Sequence, residues 1–353
     1  MLLVHILQPY IYNEPESITP KTSISISTDV CQLTKGEDIV PQFEKNETHI
    51  ACMVGDGHSG PGCKHILDAN SSTILNCILS RGLEDAMQLC MDKCAAESSG
   101  AMVVLTLYTI AERKMQIISV GDASCTIYQN NRILHAQPHH DCATVSASSE
   151  LMQVIHDKRF TIDTTNRPTM IPNNDGSTMS VELKPGYFKW AALGRNIAAA
   201  SFVGHCGMGR LDPFITECVV PEGDFHMVMT SDGVSDMIHS EDELLTTIGV
   251  TATDIVQHSK KRWTTPYFNE VDGLEEYNKN GFFVHNPYQT TSSQYGLCNG
   301  RQMRIQKVLD KQPQTSTVTF INGVKDVLPN SSIATIEHNQ GGDDISVLVM
   351  TCK

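Results

Sequence analysis

Ile50-Ala51-Cys52-Met53-Val54-Gly55-Asp56-Gly57-His58-Ser59-Gly60 is an apolar run that closes on an acid, a glycine and a histidine. The apolar part reads as a buried strand. The glycines let the backbone turn sharply and bring its carbonyls close to a ligand. A carboxylate at a strand end, beside a carbonyl and an imidazole, suits a hard metal ion and a proton donor. Asp-Gly is also a common hairpin turn, and the pair recurs at Asp175, Asp232 and Asp272. The dipeptide by itself therefore decides little.

The wider pattern carries more. Phe225-His226-Met227-Val228-Met229-Thr230-Ser231-Asp232-Gly233 is a second apolar run ending in acid and glycine. Asp343-Asp344 opens a third run, Ile345 to Met350, and Ile117-Ile118-Ser119-Val120-Gly121-Asp122 closes a fourth. Acids at the mouths of strands that converge in space form an oxygen-rich site for hard divalent cations.

In order and spacing these segments resemble the metal-dependent type-2C Ser/Thr protein phosphatases. The matching residues are Glu37-Asp38, Asp56-Gly57-His58-Ser59-Gly60, Ser99-Gly100-Ala101, Val120-Gly121-Asp122, Ser231-Asp232-Gly233 and Asp343-Asp344. The resemblance runs from about Thr34 to the C-terminus. It implies an α+β fold, a four-layer α-β-β-α sandwich of two mainly antiparallel sheets flanked by helices. It also implies two Mn²⁺ or Mg²⁺ ions and a third, weaker one. Asp56 would bridge the two ions, Asp232 and Asp343 would complete one site, and Glu37 with the Gly57 carbonyl would help form the other. Asp122 with Asp232 would hold the third ion, and Asp38 would hold metal-bound water. Oxygen-only ligands favour Mn²⁺ or Mg²⁺ over zinc. His58 is the candidate general acid for the departing serine or threonine oxygen, because imidazole titrates near working pH.

The chain departs from the family pattern in several places. The family carries an arginine shortly before Glu-Asp that grips the substrate phosphate. Here the segment is Gln32-Leu33-Thr34-Lys35-Gly36-Glu37, and Lys35 offers only a point charge. Weaker phosphate binding is expected. Asp344 stands where the family has asparagine and brings a further negative charge to the metals. Ser201 and His205 stand where the family has arginine and aspartate.

The 353 residues are 40% hydrophobic, ample for a sizeable core, and the net charge is −14. No basic run exists to follow a phosphate backbone, so nucleic-acid binding is disfavoured, and an acidic surface repels anionic membranes. The 12 cysteines are scattered, with no Cys-x-x-Cys pair. They read as reduced thiols in a cytoplasmic, reducing compartment. The apolar start at Met1 is too short for a signal peptide, and no stretch approaches transmembrane length. A single domain over 1–353 is expected, acting as a monomer on phosphorylated proteins, with a family-atypical insertion at about 263–339.

Along the chain, residues 1–12 read as a strand-like lead and Ser23 to Val30 as a half-buried strand. Residues 62–79 and 82–96 carry apolar side chains at helical spacing. Strands follow at Ala101 to Ile110, Gln116 to Val120 and Cys125 to Tyr128, with a turn at Asn130-Asn131. The absence of long βαβ alternation argues against a doubly wound fold. His135, His139 and His140 lack a recognisable zinc spacing, and a structural role near the loop is favoured. Residues 150–200 read as a loop region. Ser240 with Glu241, Asp242 and Glu243 reads as a capped, acidic helix entrance. In the insertion, a helix is expected at Met303–Leu309 and a strand at Ser316–Ile321. Two rivals to the phosphatase reading stay open: a catalytically weak or dead phosphatase fold acting as a binding scaffold, and a metal phosphatase for small molecules.

Overall fold

A computed structural model describes residues 23–33, 35–157, 199–207, 211–235, 243–245, 249–264 and 343–353. It also describes the backbone of short strands between 160 and 197 and between 270 and 337. The chain opens with strands β1 (Ile24–Cys31), β2 (Ile39–Lys45) and β3 (His49–His58), then helices α1 (Gly62–Arg81) and α2 (Leu83–Lys93). A meander follows: β4 (Gly100–Thr109), β5 (Lys114–Val120), β6 (Ser124–Gln129) and β7 (Arg132–Ala136). Helices α3 (Cys142–Ala147) and α4 (Ser149–Asp157) lead to short strands β8 (Phe160–Asp163), β9 (Pro168–Pro172), β10 (Thr178–Glu182), β11 (Tyr187–Trp190) and β12 (Arg195–Ile197). The chain returns to the core with β13 (Val203–Gly204), β14 (Phe214–Val219), β15 (Phe225–Thr230), the single turn α5 (Asp232–Ser235) and α6 (Ala252–Thr264). Strands β16 (Glu270–Val271), β17 (Arg304–Lys307), β18 (Thr315–Thr319), β19 (Lys325–Pro329) and β20 (Ile333–Glu337) precede the last, β21 (Ile345–Cys352).

Two antiparallel sheets form the centre. One has the order β14-β5-β4-β3-β2, the other β1-β21-β15-β6-β7. Strand periodicity explains how they stack, since successive side chains face opposite ways. In β3, Ala51 and Met53 face α1 and α2, where they meet Leu67, Ile74, Ile78, Met87 and Cys90. Their neighbours Ile50, Cys52 and Val54 face the other sheet and meet Cys125, Ile127, Met227, Met229, Leu348 and Met350. In β21 the alternate residues Ile345, Val347 and Val349 face outward onto Ala252, Ile255 and Val256 of α6. The layers are therefore helices, sheet, sheet, helix, the expected α-β-β-α sandwich. Each fully buried aliphatic or methionine side chain contributes about 1.5–3 kcal/mol relative to exposure.

The local signals are clear where they hold. The apolar residues of 62–79 fall on one buried face of α1, and Gly82, at φ 99°, ends it. Asn130 and Asn131, at φ 53° and 55°, make the tight turn from β6 to β7. Such positive angles in sequence are what a two-residue hairpin needs. Two expectations are corrected. Residues 304–307 pair antiparallel with β20 as a strand, where a helix was expected at Met303–Leu309. The four residues, Arg304-Ile305-Gln306-Lys307, carry too little periodicity to fix a helix, and tertiary pairing overrides a helical reading of so short a stretch. Residues 150–200 hold α4 and antiparallel strand pairs in place of a plain loop. Glu243, of the expected acidic helix entrance, is helical and buried, 3.4 Å from His258 Nε2. Ser240, Glu241 and Asp242 lie outside the described residues, as do residues 1–12.

Candidate metal centre

The mouths of the strands meet at one end of the two sheets. Asp56 lies two residues before the end of β3, Asp122 follows β5 and Asp232 follows β15. One oxygen from each of these three buried carboxylates lies within 4.8 Å of the others. Among the described residues, this is the set of His, Cys, Asp and Glu side chains placed to hold an ion. Asp56 comes from one sheet, Asp232 follows a strand of the other, and Asp122 lies in the loop from β5 to β6 that joins them, so the cluster straddles the seam between sheets.

The Asp-Gly pairs do not turn the chain here. Asp56 and Gly57 lie inside β3, paired with Met102 and Ala101. A Cβ on Gly57 would collide with the carbonyl of Glu37, and one on Gly233 with the carbonyl of Asp344. Two backbone segments bearing acids thus pass directly over two glycines. The glycines are needed for close approach, because any side chain there would push the acids apart.

Burial raises the Asp56 carboxyl well above the usual range, and the neighbouring acids Asp232, Asp38, Asp122 and Asp343 push it further up. Asp38 is raised in the same way, by burial first, with a hydrogen bond from Ser231 opposing it. Crowded, desolvated carboxylates of this kind are stabilised by a cation. The donor set is all oxygen and fits a hard divalent ion.

The remaining acids are tied differently. Glu37 Oε1 accepts from the Gly60 N–H at 2.5 Å. Asp344 uses both oxygens on the main chain, accepting from Leu33 N–H and Glu37 N–H, each at 2.7 Å. Asp343 forms an ion pair with Lys35. Burial works to lower the Lys35 pKa, but the carboxylates of Asp343, Asp232 and Asp56 outweigh it and hold the ammonium above its ordinary value. The Asp38 carbonyl accepts from Lys64 Nζ of α1 at 2.7 Å and from Gln32 Nε2 at 3.0 Å, which pins this loop to the fold.

His58 stands at the edge of the cluster with a partner that sequence reasoning did not pair with it. His205 Nε2 lies 3.2 Å from His58 Nδ1, and His205 Nδ1 lies 2.8 Å from the Ser98 carbonyl. A carbonyl only accepts, so His205 Nδ1 carries the proton and, in the neutral ring, its Nε2 accepts from His58 Nδ1–H. In the neutral ring His58 Nε2 is then the basic nitrogen. Phe202 packs edge-on against both rings, with centroids at 5.8 and 4.8 Å. A Cβ on Gly100 would strike both imidazoles, so the Ser-Gly-Ala stretch is the floor beneath them. No sequence signal beyond the acid usual at that place pointed to His205.

Ser201, at the other departure, is fully buried and donates to the Leu211 carbonyl at 2.9 Å. His140 holds the Asp122 loop: its Nδ1 accepts from Gly121 N–H at 3.2 Å and its Nε2 donates to the Asp212 carbonyl at 3.0 Å. Burial pushes its pKa down to about 4. His135 Nε2 bonds the Thr216 hydroxyl at 3.0 Å.

No family model matches the chain, and no curated protein matches it by sequence. Solved structures do. The chain is similar to the photosystem II phosphatase PBCP, at 16% identity and a TM-score of 0.47 over 94% of this chain and 99% of that one. It is similar to a serine-threonine phosphatase 2C from Toxoplasma gondii, at 11% identity and a TM-score of 0.48 over 95% and 96%. It is also similar to the Mycobacterium tuberculosis serine/threonine phosphatase PstP/Ppp, at 10% identity and a TM-score of 0.42 over 93% and 97%. All three are phosphatases by name.

Proposed function

We propose that this protein is a metal-dependent phosphatase that hydrolyses phosphoserine and phosphothreonine in proteins. The observation that carries the reading is the meeting of Asp56, Asp122 and Asp232 within 4.8 Å at the mouth of two sheets, with His58 beside them. Mn²⁺ or Mg²⁺ held there supplies a nucleophile at neutral pH and neutralises phosphoryl oxygens. Asp56 and Asp232, one from each sheet, hold the ion across the seam, with Asp122 as the further ligand. The Glu37 main chain passes over Gly57, the neighbour of Asp56, so Glu37 and the Gly57 carbonyl would be the further oxygens beside the trio. His58 Nε2 gives its proton to the departing serine or threonine oxygen. His205 accepts from His58 Nδ1–H and so keeps the reactive nitrogen turned to the substrate side.

A second reading, a phosphatase fold kept as a binding scaffold, is favoured by the Lys35–Asp343 pair and by the buried Ser201. The deciding experiment is phosphate release from a phosphothreonine peptide with Mn²⁺, with Mg²⁺ and after chelation, run beside a small phosphoester. Release that needs metal and prefers the peptide supports the enzyme. Folded protein that binds Mn²⁺ yet releases nothing from either substrate supports the scaffold.

A further inference from the structure

Lys35 does not stand apart as a surface charge. It is about three-quarters buried, and its ammonium is paired with the buried carboxylate of Asp343, at the edge of the acidic cluster. The loop that carries it is clamped on both sides. Leu33 N–H, two residues before, and Glu37 N–H, two residues after, both donate to the Asp344 carboxylate at 2.7 Å. Between them Gly36 takes φ 64°, a left-handed turn. A carboxylate can accept both N–H groups. An asparagine has one oxygen for the two and would set an amide N–H₂ against the other. Asp344 therefore holds the loop in the shape that aims Lys35 at Asp343. Two departures from the resemblance, a lysine before Glu-Asp and an acid after Asp343, act as one device.

We infer that Lys35 is a built-in cation that takes the Asp343 corner of the site, so that the protein holds one divalent ion, on Asp56, Asp122 and Asp232, where two would otherwise sit. The inference rests on the metal-binding half of the function proposed above and not on its chemistry. An ammonium on Asp343 Oδ1 competes with a divalent ion for that carboxylate, because the two cations repel each other at short range. With Asp343 taken, the trio is, among the described residues, the set of side chains placed to hold an ion.

The test is a count of Mn²⁺ bound per chain, by equilibrium dialysis and by electron paramagnetic resonance, on the full-length protein. The wild type is expected to bind about one tight ion, and Lys35→Met about two, the number a paired-metal site holds. Lys35→Arg keeps the cation and should stay near one. Asp122→Asn should abolish the tight ion of the wild type. A second readout is the thermal midpoint: Mn²⁺ should raise it more in Lys35→Met than in the wild type. If Lys35→Met fails to fold without metal, its recovery on adding Mn²⁺ supports the inference, and Asp344→Asn, which loosens the loop, carries the same comparison. A wild type that already binds two tight ions overturns the inference outright, as does a Lys35→Met protein with an unchanged count. One ion in the wild type and no phosphate release would leave the inference standing and remove the phosphatase reading. No Mn²⁺ in either protein would remove both.

Discussion

At the scale of single residues, the chemistry turns on how buried charge is settled. Asp56 carries a raised pKa because burial and neighbouring acids both oppose its ionisation. A carboxyl raised in the folded state stabilises it below the unfolded value and loses that contribution as pH rises. Metal-free protein should therefore lose stability through this group as pH rises above the ordinary carboxylate range. Asp56→Asn should raise the metal-free thermal midpoint at pH 7 and erase the gain on adding Mn²⁺; an unchanged gain would show that Asp56 is not a ligand. His140 runs the other way. It is neutral in the fold, with a pKa near 4, so the unfolded chain binds more protons between that value and the ordinary one. Stability then falls as pH falls, by about 2 kcal/mol from pH 7 to pH 5. His140→Gln should flatten that part of the pH dependence of unfolding by denaturant. For His58, alanine should slow hydrolysis of alkyl phosphoesters by about a hundredfold, and of esters with good leaving groups far less. Equal losses on both would assign His58 a shaping role.

At the scale of elements, the two Asp-Gly pairs show what local pattern can and cannot say. Gly57 sits in the straight body of β3 and is there because the Glu37 carbonyl crosses it. Gly57→Ala should cost about 1–3 kcal/mol by overpacking, and should also separate Glu37 from Asp56, so Mn²⁺ affinity should fall with stability. A loss of stability alone would mean that the Glu37 loop plays no part in binding. Asn131, at φ 55° in the β6–β7 turn, is a milder case. Asn131→Gly relieves the left-handed strain of a side chain, and asparagine followed by glycine is the preferred pair in such turns. It should leave the unfolding midpoint equal or slightly raised, whereas Asn131→Val should lower it.

At the scale of the whole molecule, the acids join two sheets whose contact is mainly through apolar side chains, with a few polar contacts such as Ser346 Oγ to the Ile39 carbonyl. Asp56 belongs to one sheet, Asp232 follows a strand of the other, and Asp122 lies in the loop from β5 to β6 that joins them. A divalent ion on all three is a cross-link over the seam. Saturating Mn²⁺ should stabilise the protein by about 2.7 kcal/mol at a hundred times its dissociation constant, and chelation should reverse this. The apolar seam itself is held by residues such as Met229, fully buried between the sheets. Met229→Ala should cost about 2–5 kcal/mol, seen as a lower denaturant midpoint whether or not metal is present.

The sequence by itself determined the main strands, the first two helices and the acids, while the layered sandwich was what the family resemblance implied. Alternation in β3 and β21, helical spacing in α1 and α2, and the asparagine turn are local rules, written in neighbouring residues and legible one window at a time. The positions of Asp56, Asp122 and Asp232 at strand ends were legible for the same reason. What only the tertiary structure decided is which charges meet. Lys35 and Asp343 are 308 residues apart, and His58 and His205 are 147 apart. Nothing in either local sequence names its partner, because an ion pair or a ring contact depends on where loops end, and that is set by the packing of the sheets beneath them. The short strand β17 was missed for a related reason: four residues carry too little periodicity to outweigh the partner strand that fixes their conformation.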